Sequence, residues 1–288
     1  MRNVLVFGAS GFVGANLIES KNDEVNFIPV GREAKDGWVK ANLTDENFVD
    51  CLPKNIDTVV YLAQSKEYRN FPGGSEDMMS VNAMAILKLA NWSVTNGVKK
   101  IIYASTANVY SSQDTCLSVG AETNPGSFYG FSKLSGENVL KQFSSLISTD
   151  ILRFFTIYGP GQKGMLIPNM IQKVKNEEKI TLTNKEGLFL SPVYVKDVLS
   201  LLHGLINESS DEIKHQILNV SGEETISLLE IVKTIGTILN KDLNIDYAPG
   251  KEAYLCNADV GTLSDKLGKA YKVCSFSDGI AETIANEM

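Results

Sequence analysis

Four consecutive apolar residues, Val4-Leu5-Val6-Phe7, run straight into Gly8-Ala9-Ser10-Gly11-Phe12-Val13-Gly14, and the segment from Phe12 to Ser20 then follows helical spacing. No other feature of the chain restricts its fold as tightly. A short apolar run without alternation suits a strand buried on both faces, as happens where helices cover both sides of a parallel sheet. Three glycines between such a strand and a helix leave bare backbone at the helix N-terminus. That geometry holds a dinucleotide pyrophosphate through N–H groups and the helix dipole. Gly8, Ser10, Gly11, Phe12, Val13 and Gly14 are therefore assigned to a dinucleotide site.

The alternation continues along the chain. Val25 to Val30, Thr58 to Leu62, Lys100 to Ala104 and Ile151 to Phe155 read as strands, and Met78 to Thr95 and Tyr129 to Leu146 as helices. Strands and helices in turn predict an α/β fold, a doubly wound, Rossmann-type parallel sheet over residues 1–155. Past Phe155 the pattern is irregular, with a break at Gly159-Pro160-Gly161, a helical stretch from Ile167 to Asn176 and strand candidates near Ile180 and Val193. Ser227 with Glu230 three residues on is a capping box, opening a helix whose apolar face includes Leu229, Ile231, Val232 and Ile235. A smaller C-terminal substrate-binding lobe is expected over 156–189 and 222–288, with the chain returning to the dinucleotide domain around 190–221.

Length and charge agree with this division. The chain has 288 residues, 43% of them hydrophobic and 21% charged, which suits a globular protein of roughly two domains at ~150 residues each. The net charge of −7, with no cluster of lysine and arginine, argues against nucleic acid or an anionic membrane as partner and for a small molecule. No apolar run approaches the ~20 residues of a membrane span. The opening segment enters its glycine loop too early for a signal peptide, so a cytoplasmic protein is expected. Cys51, Cys116, Cys256 and Cys274 are widely spaced, and His203 and His215 are the two imidazoles. These are expected to be reduced, mostly buried thiols, and no metal site is assigned.

Two further groups bear on chemistry. The second strand ends Val30-Gly31-Arg32, with no acidic residue to meet a ribose 2′-hydroxyl. Arg32 suits a 2′-phosphate instead, which favours NADP slightly over NAD. Tyr129 and Lys133 stand four apart in one helix, so phenol and ammonium share a face. Ser105-Thr106 closes the preceding strand at the sheet edge where open α/β folds bind ligands. A cation beside a phenol stabilises the phenolate, which makes Tyr129 an acid/base candidate. Thr106 is then a hydrogen-bond partner for a substrate hydroxyl or carbonyl, and Lys133 also a ligand of the nicotinamide ribose.

The ordered segments GASGFVG, VVYLAQ, YASTANVY, YGFSK, LRFFTIYGPGQ, SPVYVKDV and ILNVSGEETISLLEI resemble the NAD-dependent epimerase/dehydratase family of nucleotide-sugar enzymes, among the extended short-chain dehydrogenase/reductases. The resemblance spans nearly the whole chain. It implies Thr106, Tyr129 and Lys133 as catalytic, and Asn42-Leu43 and Leu62-Ala63-Gln64 as cofactor contacts. It further implies Asn82 as support for the active-site loop beside the cofactor, Thr156 as a substrate contact, and a homodimer as a possible assembly. Three positions depart from the family. Ala107-Asn108 follow Thr106 where dehydratases carry an acid, which leaves epimerisation or reduction of a keto-sugar. Thr156 replaces an asparagine that grips the nucleotide-sugar, and Leu190 replaces an arginine that pairs with its diphosphate. The alternatives are an NADPH-dependent reductase of a non-nucleotide carbonyl compound and a non-catalytic dinucleotide-binding regulator. Lys163, Lys173, Lys185, Arg153 and Asp197 are given no catalytic part.

Overall fold

The computed structural model describes residues 1–20, 22–111, 116–208, 212–250, 255–256, 258, 261–268 and 270–286. Two compact units divide the chain. The first comprises Met1–Ser111, Glu122–Arg153 and Leu202–Leu218, and the second Ser112–Ala121, Phe154–Leu201 and Asn219–Met288. Relative to a cut at residue 155, Leu202–Leu218 lies in the first unit and Ser112–Ala121 in the second. Leu117 forms a parallel bridge with Ala258, and its carbonyl accepts a 2.8 Å hydrogen bond from Asn219 Nδ2, which ties that short segment into the second unit.

The first half of the chain runs β1 (Arg2–Phe7), α1 (Phe12–Glu19), β2 (Val25–Gly31), β3 (Val39–Lys40), β4 (Thr58–Tyr61), α2 (Ser75–Met79), α3 (Ala85–Thr95), β5 (Lys100–Thr106), α4 (Phe128–Gln142) and β6 (Ser148–Phe154). The apolar run behaves as a strand covered on both faces should, with Val4, Leu5 and Val6 at 0% exposure and Phe7 at 1%. Leu5, Phe7, Val59, Tyr61, Ile86, Leu89, Ile101, Tyr103 and Leu140 pack into one core. Between α2 and α3 the backbone widens into a π-helical turn, Ser80–Met84, where periodicity alone suggests one unbroken helix. The wider turn carries Asn82 fully inside the protein. Helix α4 ends at Gln142 instead of reaching Leu146, because the Ser144-Ser145 pair that follows competes for backbone hydrogen bonds and favours a turn.

The remainder runs β7 (Ile157–Tyr158), α5 (Leu166–Lys175), β8 (Ile180–Thr183), β9 (Phe189–Leu190), β10 (Val193–Tyr194), α6 (Val195–Asn207), β11 (His215–Val220), β12 (Ile226–Ser227), α7 (Leu228–Leu239), β13 (Ile245–Ala248), β14 (Leu255–Cys256), α8 (Thr262–Leu267) and α9 (Phe276–Ala285). In the second unit β13 pairs with β8 and β10 with β7, while β9 is flanked by β12 and β14. The capping box expected at Ser227 is present. Glu230 N donates to Ser227 Oγ at 3.1 Å, and Ser227 N donates to Glu230 Oε2 at 2.7 Å.

The main sheet has seven strands in the order β11-β6-β5-β4-β1-β2-β3. β1 runs parallel to both β2 and β4, with Phe7 beside Val30 on one side and Tyr61 on the other. Strand order therefore reverses at β1, and the crevice beyond its carboxyl end is where a doubly wound sheet binds ligands.

One expectation is corrected. Cys51 and Cys116 are exposed and Cys274 half-buried, none of the three in a disulfide, because they fall on connecting segments or beside them and not on core faces. No helix among the described residues is long and apolar enough to cross a membrane.

Candidate active site

At the carboxyl end of β1 the chain turns on Gly8, whose φ of +78° is left-handed, and a Cβ there would stand 2.6 Å from Ala63 N. Gly14 is equally constrained, since its Cβ would fall 2.3 Å from the Gly8 carbonyl oxygen. These two glycines let the turn lie flat against the end of β4 and let α1 start close behind it. Gly11 is the N-cap of α1 and offers no side-chain cap, so the first N–H groups of the helix are left for an anion.

A cavity of about 440 Å³ opens over this turn. Of the residues assigned from sequence, Gly8, Ser10, Gly11, Arg32, Asn42, Leu43, Leu62, Ala63 and Gln64 line it. Phe12, Val13, Gly14, Asn82, Tyr129 and Lys133 are not part of its wall, and Thr156 belongs to the second unit. Ser65, Lys66, Glu67 and Asp77 line it as well. No motif marks these four in the sequence. Ser65 Oγ donates to Asp77, a pairing of a loop with the helix after it.

A side chain at Gly31, the end of β2, would meet a neighbouring ring. A Cβ on Gly31 would lie 2.9 Å from Cε3 of Trp38, whose ring occupies that space with Lys35 Nζ 4.7 Å from its centroid. Arg32 is exposed on the cavity wall. Asn42 spends its amide on the local turn, donating to Thr44 Oγ1 and Asp45 Oδ1 at 2.8 Å each.

Helix α4 reaches the wall through hydrogen bonds to residues in it. Lys133, 2% exposed, donates from Nζ to the carbonyls of Ala63 at 3.1 Å and Ala104 at 2.8 Å. One turn earlier, Tyr129 donates its phenolic proton to Gln64 Oε1 at 3.0 Å. Asn82 Oδ1 accepts from Ser65 N at 3.4 Å, and its Nδ2 donates to Ser132 Oγ at 2.9 Å, joining the π-helical turn to both the wall and α4. Thr106, at the end of β5, accepts at its Oγ1 from Asn108 N at 3.2 Å. Burial pushes the Tyr129 phenol up to about 12, against the pull of the Thr106 hydrogen bond. Burial brings the Lys133 ammonium down to about 7, with the Glu137 carboxylate working the other way.

Glu137 and Arg153 complete the surroundings. Arg153 Nε lies 3.0 and 3.2 Å from the two Glu137 oxygens and its Nη2 2.7 Å from Oε2, while Ser105 Oγ donates to Oε1. The guanidinium lies 4.7 Å from the centre of the Tyr110 ring. The carboxylate thus binds the residue before Thr106 directly and a residue after it through Arg153.

With this geometry in hand, comparison with known proteins is informative. Residues 4–221 match the NAD dependent epimerase/dehydratase family. The chain belongs to that family. The matched span contains the glycine turn, the whole cavity wall, Thr106, Tyr129, Lys133 and Thr156. An N-acetyl-alpha-D-glucosaminyl-diphospho-ditrans,octacis-undecaprenol 4-epimerase of Escherichia coli O157:H7 is 24% identical over 282 residues, covering 95% of this chain and 83% of its own. A dTDP-4-dehydro-6-deoxy-D-allose reductase of Streptomyces bikiniensis is 25% identical over 283 residues, covering 87% and 85%. The structure of MoeE5 in complex with UDP-glucuronic acid and NAD superposes with a TM-score of 0.83 at 27% identity, over 99% of this chain and 98% of that one.

Proposed function

We propose that this chain is an NAD(P)-dependent epimerase or ketoreductase of a nucleotide-activated sugar, with Tyr129 as acid/base, Lys133 as its electrostatic partner and Thr106 as substrate hydrogen-bond donor or acceptor. The observation that carries it is that Tyr129 and Lys133, one turn apart on α4, bond Gln64 and the Ala63 carbonyl in the wall of the glycine-turn cavity. The similarity to an epimerase, a reductase and a UDP-sugar complex supports the same reading.

The cavity suits a nicotinamide dinucleotide. Its floor is the glycine turn, whose close approach to β4 and α1 a side chain at Gly8 or Gly14 would prevent, and Gly11 leaves the first N–H groups of α1 without a side-chain cap, as a pyrophosphate needs. A bound nicotinamide ring would supply the hydride acceptor and donor for the sugar carbon. This chain's residues manage the proton. The Tyr129 phenol, protonated at neutral pH, is ready to give a proton to a carbonyl oxygen, the direction reduction needs. To take one from a hydroxyl it must ionise, which Thr106 favours and which a cation close to the phenol would favour further. An epimerase runs both directions in one cycle and a reductase only the first.

Arg32 on the wall and the blocked Gly31 support NADP ahead of NAD, tested by titrating both cofactors into wild type and Arg32→Ala; a ratio unmoved by the substitution refutes it. Leu190 is apolar and 2% exposed where a diphosphate would need a cation, which favours the second reading, reduction of a non-nucleotide carbonyl compound. The free thiols fit a reducing, cytoplasmic compartment.

The deciding experiment offers UDP- and dTDP-sugars and simple keto compounds with NAD or NADPH, following epimer formation and net cofactor oxidation. Tyr129→Phe should lower turnover by ~10²- to 10⁴-fold while leaving cofactor affinity within a few-fold. Near-normal turnover in that variant rules out Tyr129 as the acid/base.

A further inference from the structure

Gln64 stands between the cofactor cavity and the catalytic helix. Its side chain lines the cavity, and its Oε1 accepts the Tyr129 proton at 3.0 Å. The residue before it is fixed by the same helix, since Lys133 Nζ donates to the Ala63 carbonyl at 3.1 Å. Tyr129 and Lys133, one turn apart on α4, thus grip residues 64 and 63 in order. This two-point attachment sets the distance between the Gln64 amide and the phenol without help from a ligand.

An amide differs from every other side chain of its length in carrying both an acceptor and a donor that exchange places by a half-turn. A carboxylate can only accept and an alkyl chain can do neither. Tyr129 passes through two protonation states in the reaction proposed above, and a neighbour that can only accept would oppose one of them.

We propose that Gln64 is a positioning residue for the Tyr129 proton, accepting from the phenol through Oε1 and, after a half-turn of its amide, donating from Nε2 to the phenolate. This rests on the reading of Tyr129 as acid/base. The proton count is unchanged at Gln64, because the proton leaving Tyr129 goes to the substrate oxygen and the amide only reorients. The titratable groups around the phenol are Tyr68, with ring centroids 5.5 Å apart and Arg69 over that ring, Tyr103 from β5, and Lys133 on α4. Lys66, Glu67 and Asp77 share the cavity wall with Gln64. All of these stay constant across the variants below, so a change in Tyr129 titration reports on position 64.

The test compares wild type, Gln64→Glu and Gln64→Met as NAD⁺-saturated protein. Two readouts are followed: the ultraviolet absorbance of tyrosinate against pH, with Tyr129→Phe subtracted, and the pH dependence of kcat for hydroxyl oxidation. Gln64→Glu removes the donor and adds like charge, so the Tyr129 midpoint should rise by at least one pH unit. Turnover at neutral pH should then fall about tenfold or more, recover at higher pH, and show KM within a few-fold of wild type. Gln64→Met should shift the midpoint the same way by less. If the tyrosinate midpoint and the kcat profile both stay at their wild-type positions in the two folded variants, Gln64 has no hold on the proton and the inference is overturned. If the tyrosinate midpoint moves while no sugar or keto compound is turned over by wild type, the Gln64 contact stands and the functional reading fails.

Discussion

Replacing Glu137 by methionine tests how the end of β5 is held. The carboxylate and Arg153 are 3% and 4% exposed, so removal of the acid strands a guanidinium in the interior. It also takes the acceptor from Ser105 and breaks three hydrogen bonds to Arg153. Breaking a buried pair from one side costs about 3–5 kcal/mol, because the remaining charge keeps its desolvation penalty without its partner. Stacking on Tyr110 is present already in the intact protein and offsets none of that loss. At about 2–4 °C per kcal/mol for a domain of this size, Tm should fall by roughly 6–20 °C. Replacing both residues by methionine removes the stranded charge, and most of the lost stability should return. The assay is urea and thermal unfolding of wild type, Glu137→Met, Arg153→Met and the double variant, followed by circular dichroism. A single variant within about 1 kcal/mol of wild type, or a double variant no more stable than Glu137→Met, refutes the reasoning.

Two further outcomes are expected. Gly31→Asp alone should weaken both cofactors, since its Cβ would meet the Trp38 ring at 2.9 Å, and adding Trp38→Ala should restore binding with a turn towards NAD; tryptophan fluorescence and paired titrations decide, and undiminished binding in Gly31→Asp contradicts the steric account. Lys133, brought from 10.5 down to about 7 by burial, binds fewer protons folded than unfolded between those two values. Stability should therefore rise with pH across that window relative to Lys133→Met, by up to about 1.4 kcal/mol per pH unit, and run level with it below the lower value; parallel profiles throughout would count against the burial of that charge.

The parts of this protein that local sequence determined are those whose signal lies within one element or one turn. The run Val4 to Phe7 ending at Gly8 already specifies a strand buried on both faces and a turn of bare backbone, because burial and positive φ restrict residue type directly. The spacing of Tyr129 and Lys133 puts them on one face of α4, since helical geometry is the same in every fold. Ser227 and Glu230 cap α7 through bonds three residues long. Tertiary structure decided whatever depends on which strands lie side by side. The order that sets β4 against β1 brings Leu62-Ala63-Gln64 to the glycine turn, and only then does Gln64 meet a phenol sixty-five positions away. The same holds for Ser65 with Asp77, for the ring of Trp38 behind Gly31, and for Arg153, whose partner Glu137 lies on a different element. Exposure of the cysteines and the π-helical turn around Asn82 likewise follow from packing between elements. Periodicity reports the face a residue presents, and the neighbour that face meets is chosen by long-range pairing that leaves no mark in the spacing of the chain.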